Sequence, residues 1–562
     1  MTQRTLSSSR IALAFGRDPM TVNKIRNRLT GKTICLNGNQ AVLVRSPEDI
    51  SEPALLVRGK FLSQDGWLTY EFSDETGQYS AEIRLDDSED GLRFSMRVRA
   101  PRPIWLVEWR LSGLQADQVI VPALGGQSLD RSMPTDTTIS YKYPFWWNAQ
   151  FVIGAAGRGG FWLRSKETEP RLKMLRVKKE TTGFTLTYGF EAQAPLGAKS
   201  LDATWYLDAY EKSWKEPVDI HRAWLEDAFS LLPLSENPHW PAWASDINFV
   251  LELWGMRKDS PLPHHTFAQM VDRLKSWKRL HDPRQTLVYL PGFAEHGIDS
   301  HAPDYNPSAH LGGPRKFAHL VREAHRMGYR VMIHTNVLAM TFTHRLYRQF
   351  KKHQVVDPFG RTQGWGLDLD GDWLFEPYFA YINPGVNQWG ALMERIIGRL
   401  IRTYGVDGVF LDQTLLAFNT SRGPNFLTGM NRHVRRLERA FPNVLFAGEG
   451  LHEHVLSVLP MAQIHGLDSI AEVHGLEGKT RWRDVHPVST YLFGPYTRFT
   501  AHLLTRHPAN PVFALQESYY ARLGVLPALC LYNAAQKMDL PEAKRMVKRA
   551  KGITTTKPTD RS

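Results

Sequence analysis

Apolar and polar positions along this chain follow two different rhythms. Over residues 33–210 the apolar residues come in short runs, and Gly, Pro, Asp and Asn fill the gaps. That is the texture of β-strands joined by turns. Thr33-Ile34-Cys35-Leu36 and Ala41-Val42-Leu43-Val44 flank Asn37-Gly38-Asn39, which predicts a hairpin turn. Further strands are predicted at 54–57, 67–72, 80–85, 92–98, 105–111, 151–153, 160–163, 172–177, 184–188 and 203–207. No helix of convincing length interrupts them, so residues 30–209 are expected to form a β-sandwich. Residues 1–29 carry scattered Arg and Lys and one short apolar patch at 11–15, and are expected to be an irregular leader.

The period then lengthens. Trp214, Val218, Ile220, Trp224, Leu225 and Phe229 suit a helix, and prolines follow at 233–241, so 210–243 reads as a linker helix and connection. From 244 onward strands and helices alternate. Strands are predicted at 247–254, 286–290, 329–334, 409–411 and 443–448, and helices at 267–280, 316–327, 386–403 and 427–440. Val386, Trp389, Leu392, Met393, Ile396, Ile397, Leu400 and Ile401 fall on one helical face, and Gly405 stands where a left-handed cap would stop that helix. Strand–helix alternation predicts a parallel sheet, and residues 244–533 suit a (β/α)8 TIM barrel with insertions. Residues 464–470, 489–493 and 497–503 are the candidates for its last strands, and 534–562 for a basic helix and tail. The fold class is therefore α/β plus all-β, a sandwich followed by a barrel.

Two predicted strands end in acids. Val409-Phe410-Leu411 runs into Asp412, and Val444-Leu445-Phe446-Ala447-Gly448 runs into Glu449. The interval between them holds one helix, so successive strands would bring both acids to one rim, the end of such a barrel where chemistry resides. Paired carboxylates are what glycoside hydrolysis needs: one attacks the anomeric carbon, the other protonates the leaving oxygen. Asp412 precedes Gln413 and Thr414, which could hydrogen-bond an ionised carboxylate, and is assigned as nucleophile. Glu449 lies between Gly448 and Gly450 after an apolar strand and is assigned as acid/base. Asp407, at the start of its strand, is read as structural.

Composition changes this picture little. With 562 residues, 42% hydrophobic and 22% charged, the chain can bury full-sized cores. Seventeen Trp favour a carbohydrate substrate, since indole stacks on sugar faces. The net charge of +12 carries no nucleic-acid signature motif and reads as a basic solvated surface. Cys35 and Cys530 are too far apart in sequence to suggest a disulfide framework or zinc site. No apolar run approaches the roughly 18 residues of a membrane span. The chain as given reads as cytoplasmic, with no membrane partner and no cofactor; a start placed too far downstream would hide a signal peptide.

Gly405-Val406-Asp407-Gly408-Val409-Phe410-Leu411-Asp412 resembles the nucleophile strand of α-retaining glycosidases of the α-amylase type, and Phe446-Ala447-Gly448-Glu449 resembles their acid/base strand. With the linker motif at 210–225 and Ile382-Asn383-Pro384-Gly385, the chain is similar to the glycoside hydrolases related to endo-α-N-acetylgalactosaminidases and α-N-acetylgalactosaminidases. The resemblance implies a retaining double displacement on an α-linked glycoside. A third acid usual on a late strand has Asp468 and Glu472 as its candidates, and the C-terminal β-domain of such enzymes is not recognisable after 530. A transglycosidase, in which a sugar hydroxyl replaces water, would use the same two acids. A non-catalytic carbohydrate-binding protein on this fold would need neither.

Other residues of the predicted rim are candidates for substrate binding. His334 and Asn336 end the third strand, Asp299, His301 and Asp304 lie in the loop after the second, and Gln413 follows Asp412. Trp365 and Tyr381 in the insertion before the 386–403 helix could stack on sugar rings, and Asn383 closes that insertion. Asp368, Asp370 and Asp372 lack the full loop of a calcium site, and His452-Glu453-His454 lacks metalloprotease spacing, so no metal is expected.

Overall fold

The structure is a computed structural model that describes residues 4–16, 21–64, 67–258, 262–367, 374–464, 482–502 and 511–553. The chain divides into two compact units, Met1–Ser230 with Gly478–Leu492, and Leu231–Glu477 with Phe493–Ser562.

The first unit holds two antiparallel sheets. One runs in the order Arg4–Ser7, Ile11–Phe15, Thr21–Asn27, Thr33–Ser46, Leu106–Leu114, Gly183–Glu191, Lys173–Glu180, Thr138–Tyr143, with Asp49–Leu56 paired to Thr33–Ser46. The other begins at Arg483–Val485 and Gln127–Asp130 and ends at Trp67–Ser73 and Arg58–Gln64. Their inner faces share one hydrophobic cluster, in which Trp109 of the first sheet and Trp205 of the second lie 5.1 Å apart. The expected leader is thus corrected: residues 4–27 supply three strands of the first sheet. Ile11, Leu13 and Phe15 point into the core, Phe15 edge-on to Tyr70 at 5.1 Å. The alternation that buries them is only five residues long, too short to stand out among the flanking charges.

The predicted hairpin at Asn37-Gly38-Asn39 is also corrected. Thr33–Ser46 is one continuous strand with an irregularity at that point, opposite a register shift in Leu106–Leu114. Asn37 takes φ +50° and Gly113 φ +73°, and a Cβ on Gly38 would meet the Ser112 carbonyl oxygen at 2.5 Å. The turn residues serve paired bulges, where two strands approach more closely than side chains allow.

The second unit is built on a parallel sheet of eight strands: β1 (Phe249–Leu253), β2 (Thr286–Leu290), β3 (Arg330–Asn336), β4 (Gly408–Asp412), β5 (Leu445–Gly448), β6 (Met461–Gln463), β7 (Arg498–Thr500) and β8 (Ala528–Leu531). They pair in the order β7-β6-β5-β4-β3-β2-β1-β8. The Leu526 amide donates to the Phe499 carbonyl at 3.0 Å and the Ala501 amide to the Leu526 carbonyl at 2.9 Å, so the sheet nearly closes into a barrel. Helices α1 (Phe267–Trp277), α2 (Gly313–Met327), α3 (Asn387–Tyr404) and α4 (Phe426–Ala440) connect the first five strands. Gly328 and Gly405 stop α2 and α3 in left-handed conformation, and the Gly405 amide closes on the Ile401 carbonyl at 2.8 Å. Asp407 accepts from the Arg330 guanidinium at 2.8 Å, the His325 ring at 2.7 Å and the Val331 amide at 2.9 Å, tying the starts of β3 and β4 together.

The last strands differ from expectation. Strand β6 precedes the predicted 464–470, most of which lies outside the described residues. The predicted strand at 489–493 falls in a helix, Val488–Phe493. The predicted 497–503 contains the three residues of β7, and β8 was not among the candidates. Strands of three residues carry no visible period. The long insertion after β3 forms a small antiparallel sheet in which Glu376–Tyr381 lies between Ala339–Thr341 and Gly364–Leu367. Among the described residues no helix is long and apolar enough to cross a membrane.

Candidate active site

Parallel pairing puts the C-terminal ends of β1 to β5 on one rim. Asn336 and Asp412 are register partners at the tips of β3 and β4, and the Glu449 amide just past β5 donates to the Leu411 carbonyl at 3.2 Å. Asp412 Oδ2 accepts from Asn336 Nδ2 at 2.9 Å. The Asn336 amide cannot turn away, because its Oδ1 accepts from the Leu338 and Ala339 backbone amides, both at 2.9 Å. Glu449 Oε2 accepts from the Gln413 backbone amide at 2.8 Å, and its carboxyl is hydrogen-bonded to that of Asp412. Gln413 reaches this pose through φ +66°, a strained value for a side-chain-bearing residue. Its side chain donates to the Tyr381 hydroxyl at 3.1 Å.

The glycines around Glu449 are required by packing. A Cβ on Gly448 would meet Thr414 Oγ1 at 2.5 Å, and one on Gly450 would meet Leu415 Cβ at 2.9 Å. Thr414, expected to support Asp412, instead donates to the Gly450 carbonyl at 3.2 Å.

Beneath the pair lies a third acid, Asp299, only 2% exposed and at φ +56°. It faces His334 Nε2 at 3.1 Å, the Tyr305 hydroxyl at 3.5 Å, Asn336 Nδ2 at 3.4 Å and Lys258 Nζ at 3.4 Å. His334 is fixed in turn by the Tyr289 hydroxyl, 2.7 Å from Nδ1. Burial alone would raise the Asp299 pKa, but the His334 and Lys258 charges and the hydrogen bonds outweigh it, and this carboxyl lies well below the usual range. Asp412 goes the other way: burial, then the charges of Glu449 and Asp299, push it well above its ordinary value. Burial likewise raises Glu449 to about 7, with the Gln413 amide pulling down and Asp299 pushing up. Two adjacent carboxyls, both raised, take up a proton more readily than isolated acids would.

Of the candidates from the sequence, Asp412, Glu449, Asn336, His334, Asp299, Gln413 and Tyr381 converge here. Trp365 stacks on Phe379 at 5.5 Å and lies under the Lys258 ammonium. His301 and Asp304 belong to a separate group beside it, where Asp304 lies 3.0 Å from His344 Nε2. Asn383 is tied to the backbone at both ends of its amide, donating to the Pro424 carbonyl at 2.8 Å and accepting from the Gly385 amide at 2.9 Å. Asp468, Glu472 and the aspartates at 368, 370 and 372 lie outside the described residues. Lys258 and Tyr289 were not foreseen. Tyr289, and Glu252 beside it in register, stand out in retrospect as polar positions within fully buried strands.

Two groups bring three donor atoms within 4.8 Å of one another and could hold a metal ion: Asp299, His334 and Asp412, and His301, Asp304 and His344. In the first, Lys258 and Asn336 already supply donors to the acids. In the second, His344 Nδ1 accepts from the Leu346 amide at 3.1 Å, which places the neutral ring's proton on Nε2, toward Asp304.

A family described as a domain of unknown function, DUF6259, matches residues 200–496. No curated protein matches the chain. Among solved structures, the α-N-acetylgalactosaminidase NagBb from Bifidobacterium bifidum in complex with Gal-NHAc-DNJ superposes with a TM-score of 0.75 at 14% identity, covering 99% of this chain and 93% of that one. Its ligand-free form gives 0.74 at 14%, covering 98% and 93%. An α-galactosidase from Lactobacillus brevis gives 0.50 at 10%, covering 98% and 83%. At these identities the likeness is one of fold.

Proposed function

This chain belongs to the DUF6259 family, and we propose that it is a glycoside hydrolase that cleaves an α-linked glycoside with retention of configuration. In this reading the two sheets of the first unit are a β-sandwich and the second unit is a (β/α)8 barrel carrying the site. The observation that carries the proposal is the pair of adjacent buried carboxyls on neighbouring strand ends, Asp412 held by the Asn336 amide and Glu449 by the Gln413 amide. The fold shared with NagBb and with an α-galactosidase supports an α-glycoside as substrate.

Asp412 attacks the anomeric carbon while the bond to the leaving oxygen breaks, and Glu449 delivers its proton to that oxygen. A glycosyl ester on Asp412 results. Glu449, now ionised, takes a proton from water; the water oxygen attacks the same carbon and Asp412 leaves as carboxylate. Two inversions give net retention. Asn336 holds Asp412 so that one oxygen is bonded and the other can point at the sugar. The Gln413 amide anchors Glu449 by one oxygen and leaves the other to carry the proton.

The test is turnover of aryl α-glycosides of galacto, N-acetylgalactosamino and gluco configuration, with the product anomer followed by NMR. Wild type should release the α-anomer first from at least one of them, and Asp412→Asn should lose on the order of 10⁴-fold in kcat with an unchanged melting temperature. Release of the β-anomer, or full activity in Asp412→Asn, would overturn the mechanism.

A further inference from the structure

Lys258 has no part in the proton and bond transfers above, yet its ammonium lies, mostly covered, against Asp299. Its place is built by the backbone. The loops after β1 and β2 run so close that a Cβ on Gly255 would meet the Gly292 oxygen at 2.3 Å, and one on Gly297 the Arg257 oxygen at 1.7 Å. Gly292 and Gly297 take φ +70° and +92°, conformations glycine adopts without cost. Three hydrogen bonds join the loops: Gly255 amide to Pro291 carbonyl at 2.9 Å, Met256 amide to Gly292 carbonyl at 2.8 Å, and Ile298 amide to Met256 carbonyl at 3.2 Å. This pairing delivers Lys258 beside Ile298 and Asp299.

The side chain is then held from two sides. Nζ lies 3.3 Å from the Ile298 carbonyl and 3.4 Å from Asp299 Oδ2. On its other side are the rings of Trp365 at 4.9 Å and Phe379 at 5.6 Å, both from the insertion after β3. The Lys258 side chain is 17% exposed and that of Asp299 1%. Asp299 shares the Asn336 amide with Asp412, at 3.4 and 2.9 Å. A shift of Asp299 therefore changes the donor that aligns Asp412.

We propose that Lys258 is a positioning residue for the glycosidase reaction: it pins Asp299, and through Asn336 the attack geometry of Asp412, while Trp365 and Phe379 make the insertion sheet its support. The inference rests on the reaction proposed above. Three carboxyl groups converge in this site, and an ammonium against the ionised Asp299 offsets charge that would otherwise act on the other two.

The experiment compares wild type with Lys258→Ala and Lys258→Met on the best α-glycoside. Both variants should lose about 10²-fold in kcat, the scale of an ångström-sized misplacement, with KM changed less than about threefold. Propylammonium, which replaces the atoms removed in Lys258→Ala, should restore much of that loss saturably, and propanol should not. Retained kcat, a loss confined to KM, or no rescue by any alkylammonium overturns the proposal. Crystal structures of Lys258→Ala with and without propylammonium judge it independently of turnover. Asp299 and Asn336 should be displaced without the amine and restored with it; unmoved side chains overturn the positioning role. If wild type cleaves no α-glycoside, the proposed function fails, and the crystal structures still decide what Lys258 holds.

Discussion

In the proposed mechanism Glu449 is the acid near neutral pH, and its surroundings favour that role. Burial lifts its pKa from the ordinary 4.5 to about 7, despite the Gln413 amide bonded to its ionised form. The first half-reaction needs the proton that the pair retains. Because the acid must be protonated and Asp412 ionised, kcat/KM should fall about tenfold per unit above about pH 7, and fall again at lower pH where the pair takes up a second proton. Glu449→Gln should abolish that alkaline limb. It should also cost about 10³-fold on glycosides with poor leaving groups and far less on activated aryl glycosides, which leave without a proton. Equal losses on both, or a limb that survives the substitution, would remove Glu449 from the acid role. Asp299 takes the opposite part: His334 and Lys258 keep it ionised, so it acts as a fixed charge and not as a second proton store.

At the scale of elements, the site depends on loops that meet where a side chain would not fit. Gly297 is the sharpest case, with the Arg257 oxygen 1.7 Å from where its Cβ would stand. Gly297→Ala must separate the loops after β1 and β2 and move Lys258 and Asp299 with them. Kinetics should show kcat/KM lowered about 10²-fold, and a thermal melt should show a stability loss of about 1–2 kcal/mol for a left-handed alanine; unchanged kinetics would mean the loop pairing does not hold the site. The same feature explains what the sequence could and could not disclose. Asp412 and Glu449 were visible because each ends an apolar run, and α3 because eight apolar residues share a face that Gly405 terminates. Lys258 was invisible because its position depends on a glycine contact between loops about forty residues apart, a separation no local pattern encodes. At Asn383 the sequence could not separate two uses, because a polar residue at a rim satisfies backbone amides as readily as sugar hydroxyls. Strand β6 was missed, and β7 was only bracketed by the longer 497–503, because a three-residue strand shows no period and tertiary pairing alone defines it.

Across the whole molecule, stability should carry a pH dependence unrelated to the site. Helix α4 buries Glu438 and His433, 1% and 2% exposed, and no side-chain N or O atom of either finds a partner among the described residues. Burial raises Glu438 to about 8, with Arg435 and Arg439 pulling down, and lowers His433 to about 4. Both are therefore neutral in the fold, and their linkages oppose each other. The unfolded chain binds the extra proton at His433, so that group makes stability rise with pH between about 4 and 6.5. The folded chain binds the extra proton at Glu438, so stability is fullest below about pH 4.5 and falls as pH rises toward 8. The two slopes largely cancel up to pH 6.5, and above it only the Glu438 slope remains, about 1.4 kcal/mol per unit at most. Glu438→Gln removes the ionisation while keeping the shape. Its melting temperature should match wild type below about pH 4.5 and exceed it by a growing margin, reaching a few °C at pH 8. Melting curves that run parallel across that range would show that Glu438 ionises in the fold at no cost, and that the wall of the barrel admits water at α4.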